Sequence, residues 1–357
     1  MNPDPNPKPA RTGHRGAAWT LVVLTPLIAE LALGSTPVTM AWLVIIWMPV
    51  YGAGVLLIRE LMVRTGRGWP SLILLAIAYE LLEDGIGLQA LTSPNLYQAA
   101  EWGARILGFN VPYWVAQMIY HGIFTVIIPI AVVNLLFPAH RGRPYLKRGG
   151  TIIAALVTVI GVALLRITVP PSMDPGYQAP LPFLIGCLAV IITLGVLALR
   201  VLPPASPQPH DGAVPGLPVL YLGSGLAIMI VLFLTFPIFG ARQPAFTVGL
   251  TVLIPVAAAI LGVAVAYRVL TRMISSARWS DRHSLAVIGG ALVAHTIAGL
   301  IIMARTPVDQ VGLAVIAALT VVGLVWFDRR LRRQAETLTT AAEAEPRADR
   351  ASPARRP

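Results

Sequence analysis

Charge is scarce in this sequence. Asp, Glu, Lys and Arg together make up 12% of its 357 residues, whereas soluble domains carry about 25%. Hydrophobic residues make up 56% of the chain, which is more apolar surface than a water-soluble fold of this size needs. The composition therefore excludes an ordinary soluble domain and favours a protein that lies in a lipid bilayer.

Cysteine and the common catalytic motifs are also lacking. The single cysteine, Cys187, lies in an apolar run and cannot form an intrachain disulfide. The sequence contains no HExxH zinc motif, no P-loop and no G-x-S-x-G nucleophile elbow. These absences exclude the enzyme classes that depend on those motifs, and the residues alone identify no cofactor and no metal.

What the sequence does contain is a series of apolar runs long enough to cross a bilayer core. The predicted spans are 17–34, 39–58, 69–90, 113–137, 151–168, 182–202, 217–240, 246–267, 284–303 and 309–327. The formal charge of +11 does not indicate a nucleic-acid partner, because Lys and Arg lie in the short segments between these runs. The predicted fold is all-α, a polytopic bundle of about ten transmembrane helices whose partner is the lipid bilayer.

The basic residues also predict the topology. If the N-terminus lies in the cytoplasm, 23 of the 27 basic residues fall on the cytoplasmic side, and the exceptions are Arg105, Arg166, Arg242 and Arg305. Short cytoplasmic loops carry an excess of Lys and Arg, and one missed helix would scatter them over both sides. We therefore predict both termini in the cytoplasm of a multi-pass protein of the bacterial inner membrane.

Three regions follow from this pattern. Residues 1–16 are predicted to be a disordered cytoplasmic N-terminus, 17–327 the transmembrane domain, and 328–357 a basic, largely disordered cytoplasmic tail. The start of the tail, 328–334, is expected to extend the last helix along the anionic inner leaflet. Between the third and fourth spans, 93–109 is predicted to form a short interfacial helix, with Ser93 as its cap.

Ionisable residues inside the membrane are the strongest indication of function, because each costs about 3 kcal/mol. The third span carries Glu80, Glu83 and Asp84, which share one helical face. In the predicted topology, other polar residues lie at similar depth, and all of them are expected to meet in one outward-facing polar cavity. The predicted ligand-binding residues are Glu30, Glu80, Glu83, Asp84, Gln117 and His121, with His295 nearby.

The neighbouring sequence leaves two interpretations of these residues open. Helix breakers such as Pro49, Gly52, Gly85 and Gly87 accompany the acidic residues and favour irregular backbone around a cavity. Alternatively, Glu83 or Asp84 pairs with one of the few basic residues on that side, Arg105, Arg166 or Arg242, and His295 is a packing residue.

The acidic pair Glu83-Asp84, followed by His121 and His295 on later helices, resembles the CPBP family of intramembrane metalloproteases, the CAAX-protease and bacteriocin-processing group. That family carries EExxxR, FxxxH and HxxxN or HxxxD motifs. This sequence has Leu88, Gln117 and Gly299 where the family has arginine, phenylalanine and Asn or Asp. The resemblance implies that Glu83, Asp84, His121 and His295 are catalytic and activate water.

A second resemblance concerns the stretch YGAGVLLIREL and the following GRGWPSL, which are similar to uncharacterised bacterial multi-pass proteins. Three functional hypotheses result. The protein binds or transports a small solute or peptide, it is a CPBP-like enzyme, or it is a non-catalytic scaffold or accessory subunit whose polar residues hold helices together.

Overall fold

The computed structural model describes residues 14–97, 103–204, 209–236 and 249–350, with side chains through residue 337. Most of the described chain is helical and strands are almost absent from it, which confirms the predicted all-α polytopic fold. The α-helices are α1 (Arg15–Pro26), α2 (Leu43–Trp47), α3 (Ala53–Thr65), α4 (Trp69–Glu80), α5 (Val111–Tyr120), α6 (Ile128–Leu136), α7 (Arg148–Met173), α8 (Leu181–Val196), α9 (Leu217–Thr235), α10 (Leu253–Ile274), α11 (Asp281–Ile302) and α12 (Pro307–Arg350). Short 3₁₀ turns cover Val38–Met40, Pro138–His140 and Gly249–Val252.

Among the described residues, eight helical stretches are long and apolar enough to cross a membrane. They are Leu43–Thr65, Val111–Leu136, Arg148–Met173, Leu181–Val201, Leu217–Thr235, Gly249–Ile274, Asp281–Ile302 and Pro307–Thr337. The other two predicted spans are also continuous helices. One of them, 15–31, is a little shorter than these eight, and the other, 69–87, carries three acidic side chains. The number ten and the orientation of the bundle stay predictions.

The helix surfaces fit a lipid environment. Large apolar side chains on the later helices are mostly exposed, including Ile153 at 61%, Leu222 at 69% and Leu319 at 64%. Such continuous apolar surface is not stable in water, and a bilayer supplies the surroundings that it needs.

Close packing of the helices depends on small residues. Gly290 of α11 lies against the backbone carbonyl of Tyr221 in α9, and a Cβ at this position would collide with it. Gly161 of α7 likewise leaves no room for a side chain beside the backbone of Pro49 and Val50. Small residues let helix backbones approach closely inside a membrane, where packing drives association.

Each of the first four membrane helices contains a π-helical segment. These segments are Leu27–Leu31, Met48–Gly52, Leu81–Gly87 and His121–Ile127, and a fifth, Leu197–Val201, follows α8. The predicted breakers Pro49, Gly52, Gly85 and Gly87 lie within them, so the helices continue through a wider turn instead of unwinding. Because π turns occur frequently at functional sites, the residues in these segments are candidates for such a site.

The segment 93–109 differs from the predicted interfacial helix. Ser93 Oγ accepts a hydrogen bond from Leu96 N at 3.0 Å, as a cap would, but 98–102 lie outside the described residues. After them the chain forms an antiparallel hairpin of β1 (Arg105–Ile106) and β2 (Phe109–Asn110). Leu107 and Gly108 have φ values of 52° and 84°, and this left-handed turn ends any helical periodicity.

The two chain ends differ in how much of them the structure describes. Residues 1–13 lie outside the described part, so the predicted N-terminal disorder is not tested there. The last helix continues through the predicted start of the tail, as expected for 328–334, and then on to Arg350. Its Ala-, Glu- and Arg-rich composition has high helix propensity, which explains why helix extends into a segment predicted to be disordered.

Candidate functional site

Three acidic side chains meet where α4 becomes π-helical. Glu80 is the last residue of α4, and Glu83 and Asp84 lie in the π segment Leu81–Gly87. Their exposed fractions are 0%, 1% and 1%. The three carboxylates are close enough for like-charge repulsion to act between them. We call these three residues the acidic cluster.

Few hydrogen bonds satisfy the acidic cluster. Glu80 Oε2 accepts from Trp114 Nε1 at 2.7 Å, but Glu80 Oε1, both oxygens of Glu83 and Asp84 Oδ2 are buried without a well-formed hydrogen bond in the described part of the chain. A buried carboxylate that lacks donors and a counter-charge is costly in an apolar medium. A proton or a cation would neutralise such a carboxylate.

His121 is the nearest titratable neighbour of Glu83. Its Nδ1 lies 3.6 Å from Glu83 Oε2 and 2.9 Å from Thr125 Oγ1. The Tyr51 ring stacks parallel to the His121 ring at a centroid distance of 6.0 Å. The hydroxyls of Tyr51 and Tyr79 face Glu83 without reaching good hydrogen-bond geometry.

Glu30 joins this group from the first helix. It lies in the π segment Leu27–Leu31, half-buried, and its Oε2 accepts from Ser35 Oγ at 2.9 Å and Thr36 Oγ1 at 3.0 Å. Trp47 Nε1 donates to Thr36 Oγ1 at 3.2 Å, which fixes that hydroxyl. Glu30 interacts electrostatically with Glu83 and His121. All four π segments of the first helices thus contribute to one polar centre.

The remaining predicted residues lie beside this centre. Gln117 is half-buried and interacts with the Tyr113 hydroxyl. His295 of α11 is fully buried, its Nε2 lies 3.0 Å from the Tyr120 hydroxyl, and its ring stacks on Phe124 at 4.0 Å. The Tyr120 ring also meets His121 edge-on at 5.3 Å. His295 therefore contacts the centre through Tyr120 and not through a carboxylate.

Sequence reasoning missed the aromatic residues of this centre. Tyr51, Tyr79, Tyr120 and Trp114 all surround the acidic cluster or its histidine neighbour. One signal was available: Tyr79 and Glu83 are four residues apart, a spacing that places side chains on one helical face.

The predicted alternative of arginine pairing is not seen for the two arginines that the structure describes. Arg105 donates to the carbonyls of Ser93 and Thr92, and Arg166 donates to Ile86 O at 2.6 Å and Gln178 Oε1 at 3.0 Å. Arg242 lies outside the described residues. In the described ranges, none of the ion pairs formed by Arg or Lys involves the acidic cluster.

The four residues to which the CPBP resemblance assigns catalysis do not all contact one another. Within the part of the chain described, no three His, Cys, Asp or Glu side chains converge as metal ligands do. His121 approaches Glu83, but His295 is bonded to Tyr120. What the centre can do chemically is bind a proton or a small cation among carboxylates, hydroxyls and one imidazole.

The fold and this centre define a class: a polytopic α-helical membrane protein with ionisable groups enclosed between its helices. The model of an uncharacterised membrane protein family matches residues 20–339, so the chain belongs to that family. Neither the curated proteins nor the solved structures contain a match. No resemblance to the CPBP family emerges from these comparisons.

Proposed function

We propose that this protein binds and transports a small solute, with Glu83 as the proton- or cation-binding residue at the centre of the pathway. The observation that supports this most is that Glu83 is 1% exposed and has no well-formed hydrogen bond to either oxygen. In the described chain no Arg or Lys pairs with it, and its nearest titratable neighbour is His121, at 3.6 Å. A carboxylate in that position is stable only when a proton or a cation neutralises it. Intramembrane carboxylates of this kind mark ion and substrate pathways.

The enclosure of the centre fits an occluded state of a transporter. The cluster residues and His121 are at most 5% exposed, so a solute reaches them after helices move apart. The four π segments supply points at which the first helices can bend, because π turns are among the usual places where helices kink. Opening toward the outside would produce the polar cavity that the sequence predicts.

The two other hypotheses have less support. A protease needs a group of ligands or catalytic residues that meet, whereas His295 is held by Tyr120 and Phe124. A scaffold has no need of unsatisfied carboxylates, since buried polar residues that join helices do so by making hydrogen bonds with each other. Glu83 makes none that are well formed.

Proton-linked transport can be tested in liposomes. The purified protein is reconstituted around the pH dye pyranine, and amino acids, sugars, organic cations, Na⁺ and K⁺ are added outside in turn. We expect at least one solute to change the internal pH, and Glu83→Gln to abolish that change. Loss in the variant follows because glutamine cannot exchange a proton.

Asp309→Asn is the matched control, since it makes the same chemical change at the half-buried start of α12, away from the cluster. It should transport as the natural protein does. If Glu83→Gln retained full solute-dependent proton movement, the proposal would be rejected. If the variant disappeared from the membrane instead of losing transport, the scaffold hypothesis would be favoured.

A further inference from the structure

A groove of about 610 Å³ lies between α9, α11 and α12, away from the acidic cluster. Its apolar wall includes Leu217 and Tyr221 of α9, Ala286 of α11, and Val321 and Val325 of α12. One end is charged and contains Arg282, Asp328, Arg329 and Arg332. The groove is therefore amphipathic along its length.

The charged end carries a surplus of positive charge. Asp328 accepts from Arg282 Nε and from Arg332 Nε, both at 2.7 Å. Three arginines and one aspartate leave two positive charges. The two bonds use one of the five N–H donors of each guanidinium, and in the described chain neither Arg282 nor Arg332 makes another hydrogen bond. Asp328 thus orients two arginines that retain most of their donors.

Guanidinium groups that keep free donors bind phosphate oxygens with matched, charge-assisted geometry. The apolar wall is a reason to expect a phosphate that carries acyl chains. Val321 and Val325 are 43% and 47% exposed, and they continue into the exposed apolar face of α12 that includes Val322 at 65%. The groove therefore opens onto the surface that faces lipid.

We propose that this groove is a binding site for an anionic phospholipid, with its phosphate between Arg282, Arg329 and Arg332 and an acyl chain along the wall beside Ala286. The surplus of two positive charges favours a lipid of net negative charge over a zwitterionic one. The groove shares no residue with the acidic cluster, so this proposal does not rest on solute transport at Glu83.

Native mass spectrometry of the full-length, delipidated protein tests the proposal. The probes are phosphatidylglycerol, phosphatidylcholine with the same chains, and inorganic phosphate. We expect phosphatidylglycerol to bind about tenfold more tightly than phosphatidylcholine, and Arg329→Gln with Arg332→Gln to remove about tenfold of that affinity. Equal binding of the two lipids would overturn the proposal.

The matched control is the double variant Arg268→Gln with Arg272→Gln, which removes the same charge from another groove, at the end of α10. It should change phosphatidylglycerol affinity by less than about twofold. An equal loss in both double variants would mean that general surface charge attracts the lipid, and would contradict a site at α12.

A third variant separates a lipid from free phosphate and does not depend on charge removal. In Ala286→Trp the indole occupies the part of the groove proposed for the acyl chain, and every arginine stays in place. This variant should therefore weaken phosphatidylglycerol binding about as much as the double arginine variant. Unchanged lipid binding in Ala286→Trp, or displacement of the lipid by equimolar inorganic phosphate, would reject the acyl chain as an occupant. If the double arginine variant failed to fold, this variant would decide the question.

Discussion

Two buried glutamates of this protein have opposite surroundings. Glu60 and Glu83 are 0% and 1% exposed. Glu60 Oε1 accepts from Arg59 Nη1 at 3.2 Å and from Tyr145 N at 2.6 Å. Its Oε2 accepts from Arg64 Nη2 and from Leu146 N, both at 3.2 Å. Glu83 has His121 at 3.6 Å and no well-formed hydrogen bond.

The difference separates a structural carboxylate from a candidate functional one. At Glu60, two arginines and two backbone N–H groups satisfy the charge, and Arg59 also donates to the carbonyls of His140, Arg141 and Arg143. This network fastens the loop after α6 to α3. Glu83 contributes no such connection, which fits the proposed role in binding a proton or a cation. The two glutamates are equally buried, and what distinguishes them is whether the carboxylate has hydrogen-bond and ion-pair partners.

The largest loss of stability is expected for Glu60→Gln. Removing one partner of a buried ion pair leaves uncompensated arginine, which costs about 3–5 kcal/mol. Thermal denaturation in detergent should show a clearly lowered midpoint relative to the natural protein. A midpoint unchanged within error would mean that the Glu60 network does not hold the loop, and the comparison with Glu83 would fail.

A smaller loss is expected for Trp114→Phe. The indole N–H is the donor to Glu80 Oε2 in the acidic cluster, and its removal leaves a buried carboxylate oxygen without that bond, at a cost of about 1–3 kcal/mol. Denaturation in the same detergent measures the change. Trp326→Phe is the control, because Trp326 is 57% exposed, and it should change the midpoint much less. Equal effects would show that loss of tryptophan volume is responsible.

Asp174→Asn should lower the free energy of unfolding by about 1 kcal/mol. This loss should depend on pH. Asp174 lies outside the membrane helices and accepts from Ser93 Oγ at 2.5 Å and Asn95 Nδ2 at 3.0 Å. Burial raises the pKa of its carboxyl, but the hydrogen bonds from Ser93 and Asn95 outweigh burial and hold the pKa below its usual value.

The sign of that pH dependence follows from the lowered pKa. The carboxylate contributes stability above the unfolded pKa of about 3.9, and the contribution is lost as the pH falls through the lower, folded-state pKa. The natural protein should therefore exceed the variant in stability at neutral pH and approach it in strong acid. A difference that grew with acidity would contradict this assignment.

The smallest change in stability is expected for Glu83→Gln, within about 1 kcal/mol of the natural protein. Glu83 makes no bond whose loss would be costly, and an amide avoids the burial of a charge. Denaturation compared with Glu60→Gln, at the same burial and with the same chemical change, measures the contrast. A destabilisation as large as that of Glu60→Gln would make Glu83 structural as well.

Much of the fold follows from the sequence, because hydropathy and length alone determine which segments can lie in hydrocarbon. The sequence also indicates a functional site at Glu80, Glu83 and Asp84, because ionisable residues are costly in a membrane helix. The proximity of Glu83 to His121, at 3.6 Å, agrees with the predicted meeting of the third and fourth helices. His295, expected near this group, approaches it through Tyr120, whose hydroxyl lies 3.0 Å from His295 Nε2 and whose ring meets His121.

Other features depend on distant contacts that local pattern does not encode. Arg59 counts as a topology signal in the sequence, but it is 2% exposed and binds carbonyls more than 80 residues away. The loop before the hairpin at Arg105–Asn110 is likewise held by a residue far along the chain, since Asn95 Nδ2 donates to Asp174 Oδ1 at 3.0 Å. Tertiary contacts of this kind override local helical periodicity.

Infrared spectroscopy of the protein in lipid tests the central claim most directly, by following the C=O stretch of protonated carboxyl groups as the pH is changed. The account predicts a band from a buried, proton-exchanging carboxyl that Glu83→Gln removes and Asp309→Asn retains. A spectrum unchanged by Glu83→Gln across the whole pH range would contradict the assignment of Glu83 as the residue that binds the proton.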